Sequence, residues 1–218
     1  LSRDRVIEAA LALVDAEGAA ALTMPALART LGCGVMTLYG YVDSKEDLLA
    51  ALAQRALAEL RLPDDLPADA GGILCIWGMS LRSTFLDHPS LPAIFLSQPV
   101  VGPGILYGLE SLLAALNERG HAPRTAVRAV YAVVTYAVGF VAWEAPRTRQ
   151  QTQAVYAATW RQAFAALPPD DLPLTATVLD QLGEVANEKQ FTLGLNALVA
   201  GLIDQSVAQA PQPDLDVS

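Results

Sequence analysis

The ten residues from Met36 to Lys45, MTLYGYVDSK, gather hydroxyl groups and one ammonium at close spacing. Thr37 can hydrogen-bond a base edge or touch a thymine methyl, and Met36 offers only apolar contact. Tyr39 and Tyr41 can set phenol hydroxyls on phosphate oxygens, which fixes register without reading sequence. Lys45 can meet a phosphate as well. Other chemistry finds less support. His88 and His121 are the only histidines, and neither stands in a ligand triplet at metal spacing. Glu110 and Glu144 are single carboxylates at unrelated positions. In the run from Gly102 to Gly108, GPGILYG, the third glycine comes one position late for a dinucleotide loop and no strand precedes it, so it reads as a helix start. No nucleophile elbow appears. Cys33 and Cys75 are too few for a disulfide framework and read as reduced thiols. Neither a cofactor nor a metal is expected, and an enzyme is the weaker hypothesis.

The elements that must position Thr37 are short. Thr23 can cap a helix, Pro25 falls in its first turn, and Leu27, Ala28 and Leu31 recur at helical spacing. Gly32 suits a left-handed stop. After Gly32-Cys33-Gly34 a second short helix can start near Val35, with Leu38 and Val42 turned to a small core. Two short helices around a glycine turn form a helix-turn-helix, whose second helix enters the major groove. Ser2 caps a preceding helix with an apolar stripe of Val6, Ala9, Ala10, Leu13 and Val14, ended by Gly18. Ser44 caps a following helix that is expected to run to Arg61.

The run from Met36 to Lys45, with Glu46-Asp47-Leu48-Leu49 after it, resembles the recognition segment of the tetracycline-repressor (TetR) family. The resemblance covers about the first quarter of the chain. It implies an all-α fold: a three-helix DNA-binding domain over residues 1–61, then a ligand-binding and dimerisation domain over 68–210. Thr23, Val35, Met36, Thr37, Tyr39, Gly40, Tyr41 and Lys45 are expected to face DNA. Two departures stand out. The tetracycline-binding members carry a guanine-reading arginine where Pro25 stands here, and Gly40 replaces a bulky residue, so operator preference does not carry over. In tetracycline-binding members, histidines hold a magnesium-chelated drug. Here those positions are Arg61 or its neighbour and Phe95, which points to a metal-free, largely apolar effector.

Beyond Pro63 and Pro67 the chain reads as helices at 68–87, 91–96, 104–119, 123–144, 150–167, 175–182 and 187–209, with Pro146 closing the long one. The tail 211–218 has few apolar residues and reads as disordered. Trp77, Phe85, Phe95, Tyr107, Tyr136, Phe140 and Trp143, with His88 and Gln98, are expected to line a small-molecule cavity of the kind the resemblance implies. Gly194 and Gly201 lie two turns apart beside Ala197 and Leu198. Small residues there let a partner backbone approach, and the resemblance places the final helix in a homodimer interface.

The formal net charge of −9 argues against nucleic-acid binding by the whole surface, and Arg3, Arg5, Arg29 and Lys45 supply only local support. The most apolar run, Ala129 to Trp143, is shorter than the roughly 20 residues that span a bilayer, so a core helix and no membrane partner are expected. The N-terminus lacks a signal-peptide hydrophobic region, which points to the cytoplasm. The expected function is a homodimeric transcriptional repressor on double-stranded operator DNA, released by a small-molecule effector. The alternatives are a helical binding or enzymatic protein whose N-terminal module has lost DNA binding, and a dimerisation scaffold.

Overall fold

A computed structural model describes residues 1–58, 60–149, 153–184 and 187–208. Among them the chain is built from α-helices and contains no strand. Helix α1 (Arg3–Glu17) begins at Ser2, whose hydroxyl accepts from the Arg5 amide, and it buries Val6, Ile7, Ala10 and Val14. A 3₁₀ turn (Ala19–Ala21) leads to α2 (Met24–Leu31) and α3 (Val35–Leu38). Helix α4 (Lys45–Leu57) follows, capped by Ser44 accepting from the Asp47 amide. Leu22, Leu27, Leu38, Leu48 and Leu52 are fully buried between these helices. Each such side chain contributes about 1.5–3 kcal/mol of burial.

The larger part contains α5 (Ala70–Asp87), α6 (Leu91–Ser97), α7 (Pro103–Asn117), α8 (Pro123–Arg149), α9 (Gln153–Ala165), α10 (Pro173–Thr177), α11 (Leu179–Leu182) and α12 (Glu188–Ala208). Helices α5, α8 and α12 pack against one another. At their crossing Gly78 lets the backbones close, since a Cβ there would meet Leu195 at 2.9 Å and Val133 at 3.1 Å. A second core holds Ile73, Leu74, Phe85, Leu91, Val133, Phe191 and Leu195. Helix α4 is shared between the two cores. Leu48, Ala51 and Leu52 belong to the first, and Ala53 and Ala56 to the second.

Several boundaries differ from the sequence reading. Helix α4 ends at Leu57 rather than Arg61. The Arg61 guanidinium folds back to donate to the Ala58 and Leu60 carbonyls, which satisfies acceptors that a continued helix would have used. Pro146 does not close α8 but lies inside it. A proline removes one N–H bond and crowds the carbonyl four residues back. The helix nevertheless continues to Arg149, and Glu144 and Ala145, just before the proline, are packed in the core. The expected helix at 175–182 is two helices, broken at Val178 with φ −121° and ψ 12°. Residues 150–152, Gln209, Ala210 and the tail 211–218 lie outside the described residues. The apolar run is part of a longer helix than expected, and Pro123–Pro146 is long and apolar enough to cross a bilayer. Within the fold, Val133, Ala137 and Val141 on that helix are fully buried against protein.

Candidate nucleic-acid interface and cavity

Helix α2 stops at Gly32, which takes the left-handed conformation with φ 64°, and the Cys33 amide donates back to the Ala28 carbonyl at 3.0 Å. A residue with a Cβ is strained there. The reversal delivers Gly34 as the cap of α3, whose four residues are held from beneath by fully buried Leu38. Val42, 2% exposed, anchors the turn that follows. Met36 and Thr37 therefore face outward, Met36 at 81% exposure. Tyr39 caps α3 and is 46% exposed, and Gly40 is exposed beside it. Tyr41 is half-buried against the core, and Lys45, in the first turn of α4, is half-exposed. Two members of the expected DNA-facing set are otherwise occupied. Thr23 uses its hydroxyl to cap α2 by accepting from the Ala26 amide at 3.2 Å, and Val35 packs half-buried on the first core.

The local charge is better arranged than the composition suggests. Asp47 accepts from the Asp43 amide at 3.2 Å and pairs with Arg3 at 3.3 Å. Its carboxylate is thus tied into the start of α4. Arg5, Arg29 and Lys45 make no ion pair among the described residues. They are the cations left to meet an anion.

A cavity of about 480 Å³ opens in the larger part. It falls in the range of ~300–1,000 Å³ usual for small-molecule sites. Trp77, Leu81 and Phe85 of α5 form one wall, Phe95 of α6 another, and Ile105, Tyr107, Gly108 and Ser111 of α7 a third. Val130, Tyr131 and Val134 of α8 close the far side. Leu57, Ala58, Leu60, Arg61 and Leu62, at the end of α4, complete it. Phe85 and Phe95 meet edge-on, centroids 5.6 Å apart. Trp77, Phe85, Phe95 and Tyr107 of the expected set thus share this lining. The α4 end and the α8 residues were not in that set. The α8 residues fall inside a run that reads as uniformly apolar, so nothing in their spacing separates cavity wall from core.

The other expected cavity residues lie elsewhere. His88 Nδ1 sits 2.8 Å from Asp15 Oδ2 of α1, and the neighbouring Ser90 hydroxyl donates to the Val14 carbonyl at 3.4 Å. Gln98 donates to the Glu46 carbonyl at 3.0 Å. These contacts, with Gln54 donating to the Val101 carbonyl at 2.7 Å, tie α1 and α4 to the larger part. Helix α4 is therefore not the only mechanical connection. Tyr136, Phe140 and Trp143 form an aromatic cluster with Phe191 at the seam of α8 and α12. Tyr136 donates to the Phe191 carbonyl at 2.9 Å, and burial together with the Glu144 charge pushes its phenol pKa up. Glu144 does have a partner in space. It takes a bidentate contact from buried Arg82, at 3.0 and 2.6 Å, and the same guanidinium lies 5.5 Å from the Phe191 ring centre. Burial, then the charge of Asp69, raises the Cys75 thiol, which keeps it protonated at neutral pH.

The expected dimer residues divide as well. Gly194 faces inward, since a Cβ there would meet the Tyr136 hydroxyl at 2.2 Å. Leu198 is half-buried, whereas Ala197 and Gly201 are exposed, and a Cβ on Gly201 would meet nothing within 4 Å.

Comparison with known proteins adds an independent line. Residues 6–52 match the family described as bacterial regulatory proteins, tetR family, and residues 74–205 match the tetracyclin repressor-like C-terminal domain. The chain is 35% identical over 141 residues to the HTH-type transcriptional repressor DrrR1 of Streptomyces coeruleorubidus, a match covering 64% of this chain and 52% of that one. This chain thus spans about half the length of DrrR1. It is 30% identical over 215 residues to the tetracycline repressor protein class D of Escherichia coli, covering 95% and 92% of the two. The TetR family protein ActR of Streptomyces coelicolor, solved in complex with actinorhodin, superposes with a TM-score of 0.84 at 26% identity, covering 96% of this chain and 99% of that one.

Proposed function

Because the chain belongs to the tetracycline-repressor family of bacterial regulatory proteins, we propose that it is a homodimeric transcriptional repressor that leaves its operator when a small molecule fills the cavity. The observation that carries this reading is the placement of α4. Its first half shares the core that holds Leu38 of α3, through Leu48 and Leu52, and its last residue, Leu57, forms part of the cavity wall. A ligand that displaces that wall moves the helix on which α3 rests. The hydrogen bonds from His88, at the end of α5, to α1 and from Gln98, at the end of α6, to α4 offer a second route for the same motion. That the ActR relative holds actinorhodin in a similar fold supports a small-molecule effector.

For release, the ligand must bind the DNA-incompetent arrangement more tightly than the competent one, because equal affinity shifts nothing. A coupling of about 1–3 kcal/mol is typical. Two chains would associate through the exposed face of α12, at Leu193, Ala197, Ala200 and Gly201, beside Thr135 and Gly139 of α8. A two-fold dimer would then set two α3 helices in successive major grooves, roughly 34–36 Å apart. DNA contact falls to Met36, Thr37, Tyr39, Gly40, Tyr41 and Lys45, and the site of action is the cytoplasm. Helix α8 serves as a core helix, with no membrane partner.

The test is a mobility-shift assay, with nuclease footprinting, on the DNA upstream of the protein's own coding sequence. The wild type should give a two-fold symmetric footprint. Thr37→Ala should narrow the gap between operator and random DNA by about 1–3 kcal/mol, the worth of one good base contact. Lys45→Ala should weaken both alike. Absence of any shifted band would favour the reading in which the N-terminal module has lost DNA binding.

A further inference from the structure

We propose that the cavity takes an aromatic anion, held through its carboxylate or phenolate by Arg61; this rests on the cavity being the effector site. Among the described residues Arg61 is the only charged side chain in the lining, in a chain whose formal net charge is −9. Its Nη1 is turned to the Ala58 and Leu60 carbonyls, which fixes the plane of the guanidinium at the cavity wall. Nη2 and Nε make no hydrogen bond to any described residue, so one edge of the fork stays open to a bidentate acceptor. The Trp77 indole N–H and the hydroxyls of Tyr107 and Tyr131 are likewise without a hydrogen-bond partner among the described residues. The Ser111 hydroxyl is already engaged with the Tyr107 carbonyl at 3.0 Å. Arg and Trp only donate, and among the described residues the lining carries no carboxylate or imidazole. An anion there meets the open edge of the Arg61 guanidinium and the Trp77 N–H. The rest of the wall is apolar or aromatic, which suits an apolar, aromatic body.

The position of Arg61 also links recognition to response. The same guanidinium closes the end of α4, so an anion that draws it away changes how α4 terminates. Charge recognition and the motion of α4 then share one side chain.

The experiment is titration calorimetry on the full chain with anthracene-2-carboxylate and anthracene-2-carboxamide, which differ mainly in charge. The carboxylate should bind about tenfold or more tightly than the carboxamide, as expected when a hydrogen-bonded acceptor becomes ionised. Arg61→Gln should remove that preference by weakening the carboxylate far more than the carboxamide. Arg61→Lys, which keeps the charge and loses the fork, should retain part of it; it also serves if the glutamine variant proves unfolded by circular dichroism. Gly108→Trp, at a lining position where a Cβ meets nothing within 4 Å, should obstruct the cavity and weaken both probes. A carboxylate no tighter than the carboxamide, or a preference that survives in Arg61→Gln, overturns the assignment of the anion while the cavity reading stands. Failure of both probes to bind, or binding that Gly108→Trp leaves intact, overturns the cavity reading and this proposal with it.

Discussion

Arg82 and Glu144 are among the most buried charged groups described, with side chains 9% and 3% exposed. Removing one partner of such a pair leaves a charge in the core and typically costs about 3–5 kcal/mol. Arg82→Met should therefore lower the urea midpoint sharply. Arg82→Met combined with Glu144→Leu should recover most of the loss, because an apolar pair of similar volume needs no solvation. A double variant as unstable as the single one would show that the contacts of Arg82 with Phe191 and Glu188 matter more than the pair. None of this was legible in the sequence. Sixty-two positions separate the two residues, and no periodicity links an arginine of one helix to a glutamate of another. Thr37 and Met36, by contrast, could be read directly, because turn chemistry and the local anchors Leu38 and Val42 determine which way they face.

Among the elements, the joint between α1 and the turn from α5 to α6 is where a substitution should separate ligand binding from response. His88→Ala removes the contact to Asp15 but touches neither the cavity lining nor α3. Fluorescence anisotropy should show operator affinity falling less on addition of a saturating ligand, by part of the usual 1–3 kcal/mol or so of coupling. An unaltered response would assign transmission to α4 alone. On α12 the two glycines should behave differently. Gly194→Ala forces a methyl against Tyr136 and should destabilise the chain by about 1–3 kcal/mol through overpacking. Gly201→Leu has room within the chain and should instead shift sedimentation from dimer toward monomer. A variant that remains dimeric at low concentration would move the interface elsewhere. Their spacing in sequence made the two glycines look equivalent. The neighbouring helix distinguishes them, since Tyr136 lies over one and leaves the other open. The same limit applied to α4 and α8, whose ends depended on an arginine folding back and on packing around a proline.

At the scale of the whole molecule, fold class followed from helical spacing and caps, while the cavity did not. Aromatic residues on α5, α6 and α8 are similar in type, and only the three-dimensional crossing separates Phe95, on the cavity wall, from Phe140, in the seam. The adjacent residues Leu52 and Ala53 are both fully buried, yet one belongs to the first core and the other to the second. Neither core can lose its structure without exposing the apolar surface of a helix the other also needs. Heating should therefore give one calorimetric peak, with van't Hoff and measured enthalpies in agreement, rather than two separable transitions. In native-state hydrogen exchange, the α4 amides near Leu52 should open only with the slowest cooperative unit. A fragment cut after α4 would carry Ala53 and Ala56 uncovered, so the reading module should prove less stable alone than within the chain.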